Sequence, residues 1–180
     1  MYFVRQLCSA DRPDFRELRQ LALRVNPDDF LMTAEEEEAV PRLTIEAALE
    51  DSQPRNCFLG AFTRGSGQLV AIAGLLTSAL RKTRHVGHIT SLFVHPEHRH
   101  RGLARVLMQR LLSQAAAEGL PSIRLEVVAG NRNAISLYET LGFVPYGREP
   151  GAYRLGDREW DLALMTCDLA NVTALREQLV

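Results

Sequence analysis

The segment "EHRHRGLARVLMQRLL", residues 97–112, concentrates histidine and arginine around one glycine, Gly102, at the predicted start of a helix. The chain as a whole is nearly neutral, with 21 Lys and Arg against 22 Asp and Glu. Overall charge therefore gives no general attraction to nucleic acid or to an anionic membrane. Any site for a polyanion must be local, and this basic segment is the candidate.

The start of a helix has the physical properties of an anion site. Its first backbone N–H groups are unpaired, and the helix dipole is positive there. Gly102 and Ala104 leave room for a ligand close to the backbone, and arginines add charge-assisted bonds to phosphate. The apolar stripe predicted to anchor this helix to a sheet is Leu103, Val106, Leu107, Leu111 and Ala115. The segment favours a pyrophosphate site over the alternative, a solvated basic helix start.

Two common phosphate-binding motifs are missing from the chain. It has no Gly-x-x-x-x-Gly-Lys-Ser/Thr motif, which argues against a P-loop NTPase, and no Gly-x-Gly-x-x-Gly motif, which argues against a Rossmann dinucleotide site. The basic cluster also lacks the interleaved aromatic residues of a single-stranded nucleic-acid site. We therefore expect no nucleic-acid partner.

Composition predicts one soluble domain. The 180 residues are 46% hydrophobic and 24% charged, typical of a globular protein with one core. The three cysteines, Cys8, Cys57 and Cys167, have no metal-binding or redox spacing, which fits a reduced, cytoplasmic chain. The apolar run at the start of the sequence is too short for a signal peptide, and no apolar run in the sequence is long enough to span a membrane.

Hydrophobic periodicity predicts a mixed α/β fold. Helices are expected at 11–25, with Asp11 as cap, at 33–51, divided by Pro41, and at 103–118 and 131–142. Strands are expected at 1–8, 56–63, 68–80, 85–94, 122–128, 143–149 and 159–169. Strands and helices alternate in the second half, which favours a sheet flanked by helices.

Two segments carry a resemblance to the GNAT N-acetyltransferase superfamily. "RHRGLA", residues 99–104, matches the signature Arg/Gln-x-x-Gly-x-Gly/Ala, and about thirty residues later "NRNAISLYETLGF", residues 131–143, resembles the second family motif. The resemblance implies a single domain over 1–180, with a central, mixed, mostly antiparallel sheet splayed between strands 4 and 5. The cofactor-binding core would span about 86–144, and segments 11–50 and 145–160 would shape the acceptor pocket.

The family implies acetyl-coenzyme A (acetyl-CoA) as co-substrate and no metal. The pantetheine arm would pair with the backbone of the fourth strand, and the pyrophosphate would bind backbone N–H groups from Arg99 to Ala104. The cofactor-binding residues implied in this way are Leu92, Phe93, Val94, Arg99, His100, Arg101, Gly102, Leu103, Ala104, Arg105, Asn131 and Asn133. His95, His98 and His100 do not indicate a metal site, since no carboxylate or cysteine partner has ligand spacing.

Acetyl transfer to an amine needs a neutral amine, a polarised carbonyl and a proton for the departing thiolate. Tyr138 matches the family tyrosine that supplies this proton, and the N–H near Val94 would polarise the carbonyl. The thioester is already activated, so the cysteines are expected to be core residues and not nucleophiles. For the general base two alternatives stay open: Glu126, as in ribosomal-protein acetyltransferases, and His88, which shares a strand face with Thr90.

The acceptor is expected to be a primary amine of a small molecule or a peptide N-terminus. Glu35 to Glu38 could attract a cation, or could instead stabilise a helix start, and Tyr153 and Trp160 could wall a pocket or pack on the sheet. Many relatives are dimers, so a homodimer is possible. The alternative function is a non-catalytic acyl-CoA-binding sensor, although such a domain would not need Tyr138.

Overall fold

A computed structural model describes residues 1–50 and 55–170, which form one seven-stranded sheet flanked by helices. The strands are β1 Tyr2–Gln6, β2 Cys57–Thr63, β3 Leu69–Thr77, β4 Val86–Val94, β5 Ser122–Val128, β6 Val144–Leu155 and β7 Arg158–Asp168. Their order in the sheet is β1-β2-β3-β4-β5-β7-β6. All neighbours are antiparallel except β4 and β5, which are parallel. The predicted fold class is confirmed.

The helices are α1 Arg12–Val25, α2 Ala34–Ala39, α3 Ala47–Glu50, α4 Leu103–Ala117 and α5 Arg132–Thr140. The second predicted helix is divided at Pro41 as expected, because α2 ends at Ala39 and α3 begins after a short 3-10 turn. Within residues 1–50 and 55–170, no helix combines the length and the apolar character needed to cross a membrane.

Two apolar clusters hold the helices to the sheet. Phe15 and Leu18 of α1 pack with Phe58 and Ile72 in one cluster, and α4 contributes to the other. The buried face of α4 differs from the predicted stripe. Val106 is 39% exposed, and the buried face also includes Met108 and Leu112. The prediction for Val106 is therefore wrong, since its side chain lies at the edge of the face that meets the sheet.

Asp11 precedes α1 but does not cap it with its side chain. Its carboxylate accepts hydrogen bonds from the two terminal nitrogens of Arg5, at 2.6 and 2.7 Å, and from the backbone N–H of Cys8 at 2.9 Å. The Arg5 guanidinium holds the pKa of Asp11 down at about 2. Asp11 thus occupies the predicted N-cap position, but its carboxylate turns back toward β1 and makes no capping hydrogen bond to α1.

The sheet opens between β4 and β5. Parallel pairing covers only three positions, from Val86 with Ser122 to His88 with Arg124. Beyond these pairs β4 continues to Val94 and β5 to Val128 without pairing to each other. The strands therefore diverge, as the resemblance predicts, and leave a V-shaped gap with unpaired backbone along both edges.

A bulge in β4 lies at the edge of this gap. The pairing of β3 with β4 shifts register between Ile72 and Gly74, so that Ser91 and Leu92 of β4 face a single residue of β3. Ser91 has a left-handed φ of 57°, and its hydroxyl accepts a 2.6 Å hydrogen bond from the guanidinium of Arg19. Because Arg19 belongs to α1, this helix supports the bulged strand that borders the gap.

Arg19 also forms a buried ion pair with Glu37 of α2. Its Nε lies 3.1 Å from both carboxylate oxygens, and the Glu37 side chain is fully buried. We expect Glu37→Gln to lower the free energy of unfolding by about 3 kcal/mol, because it leaves a buried guanidinium without its counter-charge. Urea denaturation measures this, with the exposed neighbour Glu38→Gln as control, expected within about 0.5 kcal/mol of the parent. Equal losses in the two variants would contradict the role given to the buried pair.

Candidate active site

The V-shaped gap forms a cleft of about 860 Å³ between β4, β5, α4 and α5. We call it the first cavity. Most of the predicted cofactor-binding and catalytic residues line it: Leu92, Phe93, Val94, Arg99, His100, Gly102, Leu103, Ala104, Arg105, Glu126, Asn131, Asn133 and Tyr138. Arg101 is not among them, and His88 lies outside the first cavity.

The start of α4 presents a row of free backbone donors to the first cavity. His100 has φ 59° and Gly102 has φ 76°, and such left-handed residues curve the backbone into an anion-binding concavity. Among the described residues, the N–H groups from His100 to Arg105 have no hydrogen-bond acceptor. A Cβ built on Gly102 would meet no atom within 4 Å, so the space beside it is open. This is the geometry that a phosphate group requires.

The three arginines of this segment differ in their positions. The backbone N–H of Arg99 donates to the Pro96 carbonyl at 3.3 Å, so the predicted row of free donors begins one residue later, at His100. The Arg101 side chain turns away from the cavity and donates to the Tyr2 hydroxyl at 2.9 Å, so the predicted phosphate contact of this residue is left to its backbone N–H. Arg105 lines the cavity and donates to the Thr140 hydroxyl at 2.9 Å. Positive side-chain charge therefore comes from Arg99 and Arg105.

A group of potential metal ligands lies beside this segment. His95, Glu97 and His98 each offer one ligand atom, and these atoms lie within 4.8 Å of one another. The neighbouring guanidinium of Arg101 donates to the Glu97 carbonyl at 3.4 Å and places positive charge next to the group. The histidines therefore have a carboxylate neighbour that their sequence spacing does not indicate, because the 3-10 turn at Pro96–His98 brings Glu97 beside them.

Tyr138 lies on α5 and is 7% exposed. Its ring contacts Phe143, with ring centres 5.8 Å apart, while its hydroxyl makes no hydrogen bond within the described part of the chain. Burial, and to a smaller extent the negative charge of Asp29, raise the pKa of Tyr138 far above its ordinary value of 10.0. The phenol is therefore protonated at neutral pH. At the first turn of α5, Asn131 accepts a hydrogen bond from Ala134 N–H at 3.0 Å and so fixes the helix start.

A second cavity of about 530 Å³ adjoins the first. Glu126 lines both cavities, and so do Asp29 and Thr90, which places these three at the junction. His88 lines only the second cavity. Tyr153 contributes to the wall of the second cavity, and Trp160 to that of the first. Of the two candidate bases, Glu126 is the one that faces both sides of the junction.

The acidic run Glu35–Glu38 does not reach either cavity. Glu36 accepts a 2.8 Å hydrogen bond from Thr33 N–H in a capping box, and Glu37 pairs with Arg19. Glu36 thus stabilises the helix start, as the structural alternative predicts, whereas Glu37 is buried and does not face water. Besides Glu126, the acidic residue at the junction is Asp29, which sequence reasoning missed because "NPDD" is also an ordinary helix-terminating turn.

None of the three cysteines lines either cavity. Cys57 and Cys167 are fully buried, and burial raises the pKa of each thiol to about 11. Cys8 is exposed and lies beside Asp11. The placement agrees with the expectation that no cysteine acts as nucleophile.

Similarity to known proteins agrees with this geometry. The sequence profile of the acetyltransferase (GNAT) family matches residues 12–143. A 64-residue segment, 36% of the chain, is 34% identical to thialysine N-epsilon-acetyltransferase of Caenorhabditis elegans and spans 40% of that protein. A 53-residue segment, 29% of the chain, is 42% identical to ribosomal protein bS18-alanine N-acetyltransferase of Salmonella typhimurium and spans 36% of it. The chain thus matches well under half the length of these relatives.

Solved structures extend the similarity to almost the whole chain. A GCN5-related N-acetyltransferase from Kribbella flavida superposes with a TM-score of 0.75 at 24% identity, covering 93% of this chain and 97% of that one. A Salmonella typhimurium structure, described as an acetyltransferase with its cofactor acetyl-CoA, gives a TM-score of 0.75 at 20% identity and covers 94% of each chain. At such identities these structures show a shared fold. The family profile spans well over half of the sequence, and the chain belongs to the GNAT acetyltransferase family.

Proposed function

We propose that the protein transfers an acetyl group from acetyl-CoA to a primary amine, by direct attack while both substrates are bound. The observation that carries the proposal is the position of Tyr138 and of the free N–H groups of α4 in one cleft, beside the gap between β4 and β5. The relatives named above act on amines: one is a thialysine and one a ribosomal-protein alanine N-acetyltransferase. The amine acted on by this chain is taken to be carried on a small molecule or at a peptide N-terminus.

The residues of the first cavity fit acetyl-CoA. The free N–H groups from His100 to Arg105 suit its pyrophosphate, and the open space at Gly102 allows close approach. The unpaired edge of β4 suits its amide-containing arm, which can add to a strand by backbone hydrogen bonds. Acetyl-CoA supplies an activated acetyl thioester when bound, so the protein need not provide a nucleophile of its own.

The chain's own residues would then position the amine and move two protons. Tyr138, which lines the first cavity, would donate the proton of its hydroxyl to the departing thiolate. Glu126, at the junction of the cavities, would take a proton from the amine, directly or through water. Tyr138 and Leu125 are almost fully buried, so the cavity wall exposes little of either side chain.

Glu126 and His88 are distinguished by the pH dependence of the rate. We expect Glu126→Gln to lower kcat about 100-fold and to remove the acidic limb of the pH–rate profile, because the variant has no group to accept the proton. His88→Gln should change kcat less than about threefold, since His88 lines only the second cavity. Two amines of different pKa should be compared, because a limb that moves with the substrate reports the amine. Loss of the limb in His88→Gln alone would assign the base to His88.

Two measurements on the intact chain test the proposal against a non-catalytic sensor. Calorimetry with CoA reports binding in the first cavity, and mass spectrometry of amines incubated with acetyl-CoA reports transfer. Product analysis is preferable to a thiol reagent, because the exposed Cys8 would itself react. Tight CoA binding with acetylated product supports the enzyme. Tight binding without product for peptides, amino acids, polyamines or monoamines would favour the sensor, and no binding would refute both.

A further inference from the structure

The second cavity is apolar over most of its wall and acidic only at the junction. Away from the junction its apolar lining is Leu31, Met32, Val40, Leu43 and Ile45, and its polar lining is Arg19, Arg42, Thr44, His88 and Tyr153. The carboxylates that line it, Asp29 and Glu126, both also line the first cavity. A molecule that fills the cavity therefore meets negative charge at the end where acetyl transfer would occur, and away from that end it meets five aliphatic side chains and no carboxylate.

The two arginines that line the second cavity, Arg19 and Arg42, already have partners within the protein. Arg19 is paired with the buried Glu37 and bonded to Ser91. Arg42 pairs with Glu50 at 2.5 Å and is 56% exposed at the rim. Arg19 is buried and committed to Glu37, Arg42 already has Glu50 as its carboxylate partner, and a carboxylate beside the amino group would face Asp29 and Glu126. Amino acids are therefore poor candidates for this cavity.

Asp29 is held in place without being neutralised. Its carboxylate accepts a 3.1 Å hydrogen bond from the side-chain amide of Asn26, and the oxygen of that amide accepts one of 2.7 Å from Arg99. No ion pair to Asp29 or Glu126 occurs among residues 1–50 and 55–170. An ammonium group at the junction would supply the missing counter-charge.

We propose that the acceptor is a small monoamine on an apolar carbon skeleton, with no carboxylate next to the amino group, and that Asp29 holds its ammonium at the junction of the cavities. This inference rests on the proposed function and names its substrate class. A second ammonium at the far end would lose its hydration against the apolar wall without gaining a partner, which disfavours diamines and polyamines. A peptide would bring polar backbone against the same wall.

A matched series of acceptors tests the substrate class. Norleucine is pentylamine with a carboxylate on the amino-bearing carbon, and 1,6-diaminohexane is hexylamine with a second ammonium group. We expect kcat/KM for each parent monoamine to exceed that of its charged counterpart at least about tenfold. From propylamine to hexylamine it should rise about threefold per methylene group, as each enters the apolar cavity. A preference for norleucine, the diamine or a trialanine peptide would overturn the inference while leaving acetyl transfer intact.

Binding measured without turnover separates this inference from the proposed function. In the presence of CoA, hexylamine should bind at least about tenfold more tightly than hexanoate, and Asp29→Asn should weaken hexylamine binding by about the same factor. Glu35→Gln removes an acidic side chain that lines neither cavity and should leave affinity unchanged. If hexanoate binds as well as hexylamine, or if Asp29→Asn has no effect, the inference fails. Failure of CoA itself to bind would instead refute the proposed function.

Discussion

Gly102→Val is expected to raise the dissociation constant of CoA about 100-fold or more. The branched side chain would occupy the open space beside the free N–H groups and block the close approach of phosphate to at least two of them. Each such bond to a charged oxygen contributes about 1.5–3 kcal/mol. Gly102 also has φ +76°, a conformation that a β-branched residue adopts only with strain. Calorimetric titration with CoA measures the affinity, and thermal unfolding measures the strain.

Gly102→Asn is the control that separates these two causes. Asparagine tolerates left-handed φ far better than valine, so the asparagine variant should unfold close to the parent temperature. Its side chain still fills the space at the start of α4, so its CoA affinity should also fall. If the asparagine variant binds CoA as well as the parent, strain and not obstruction explains the valine result. Unchanged affinity in both variants would discard the phosphate site at α4.

The parts of this protein that the sequence predicts well are those determined by local patterns. The start of α4 at Leu103 follows from Gly102 and the apolar spacing after it, and α5 follows from the cap Asn131. The β2–β3 hairpin likewise follows from two apolar runs around a short glycine-containing turn. In each case the residues that specify the element lie within it or next to it.

Side-chain direction depends on neighbours that are distant in sequence. Arg101 matches the basic motif, yet its guanidinium turns to Tyr2, almost a hundred residues away. Asp11 has the right spacing for a cap, but Arg5 draws its carboxylate toward β1. Asp29 is likewise unremarkable in sequence, and only the divergence of β4 and β5 places it at the junction of two cavities. A single sequence does not reveal which of these distant residues contact each other.

Tyr138→Phe is expected to lower kcat about 100-fold while the affinity for CoA changes less than about threefold. The substitution removes one hydroxyl, the proton donor for the departing thiolate, and leaves the ring that packs against Phe143. The hydroxyl makes no hydrogen bond within the described residues, so its loss leaves no buried partner unsatisfied and the free energy of unfolding should not fall. Steady-state kinetics, calorimetry and urea denaturation together distinguish a chemical effect from a structural one.

Tyr146→Phe is the matched control, because Tyr146 is 51% exposed and lines neither cavity. It should leave kcat, CoA affinity and stability at the parent values. The pH–rate profile is a second measurement. The pKa of Tyr138 lies above 10.0, so the hydroxyl keeps its proton below pH 10 and should produce no alkaline limb in that range. Parent-like kcat in Tyr138→Phe would mean that water or another residue protonates the thiolate. An alkaline limb below pH 10 that disappears in Tyr138→Phe would instead show that the bound substrates lower this pKa, because they bring positive charge close to the phenol.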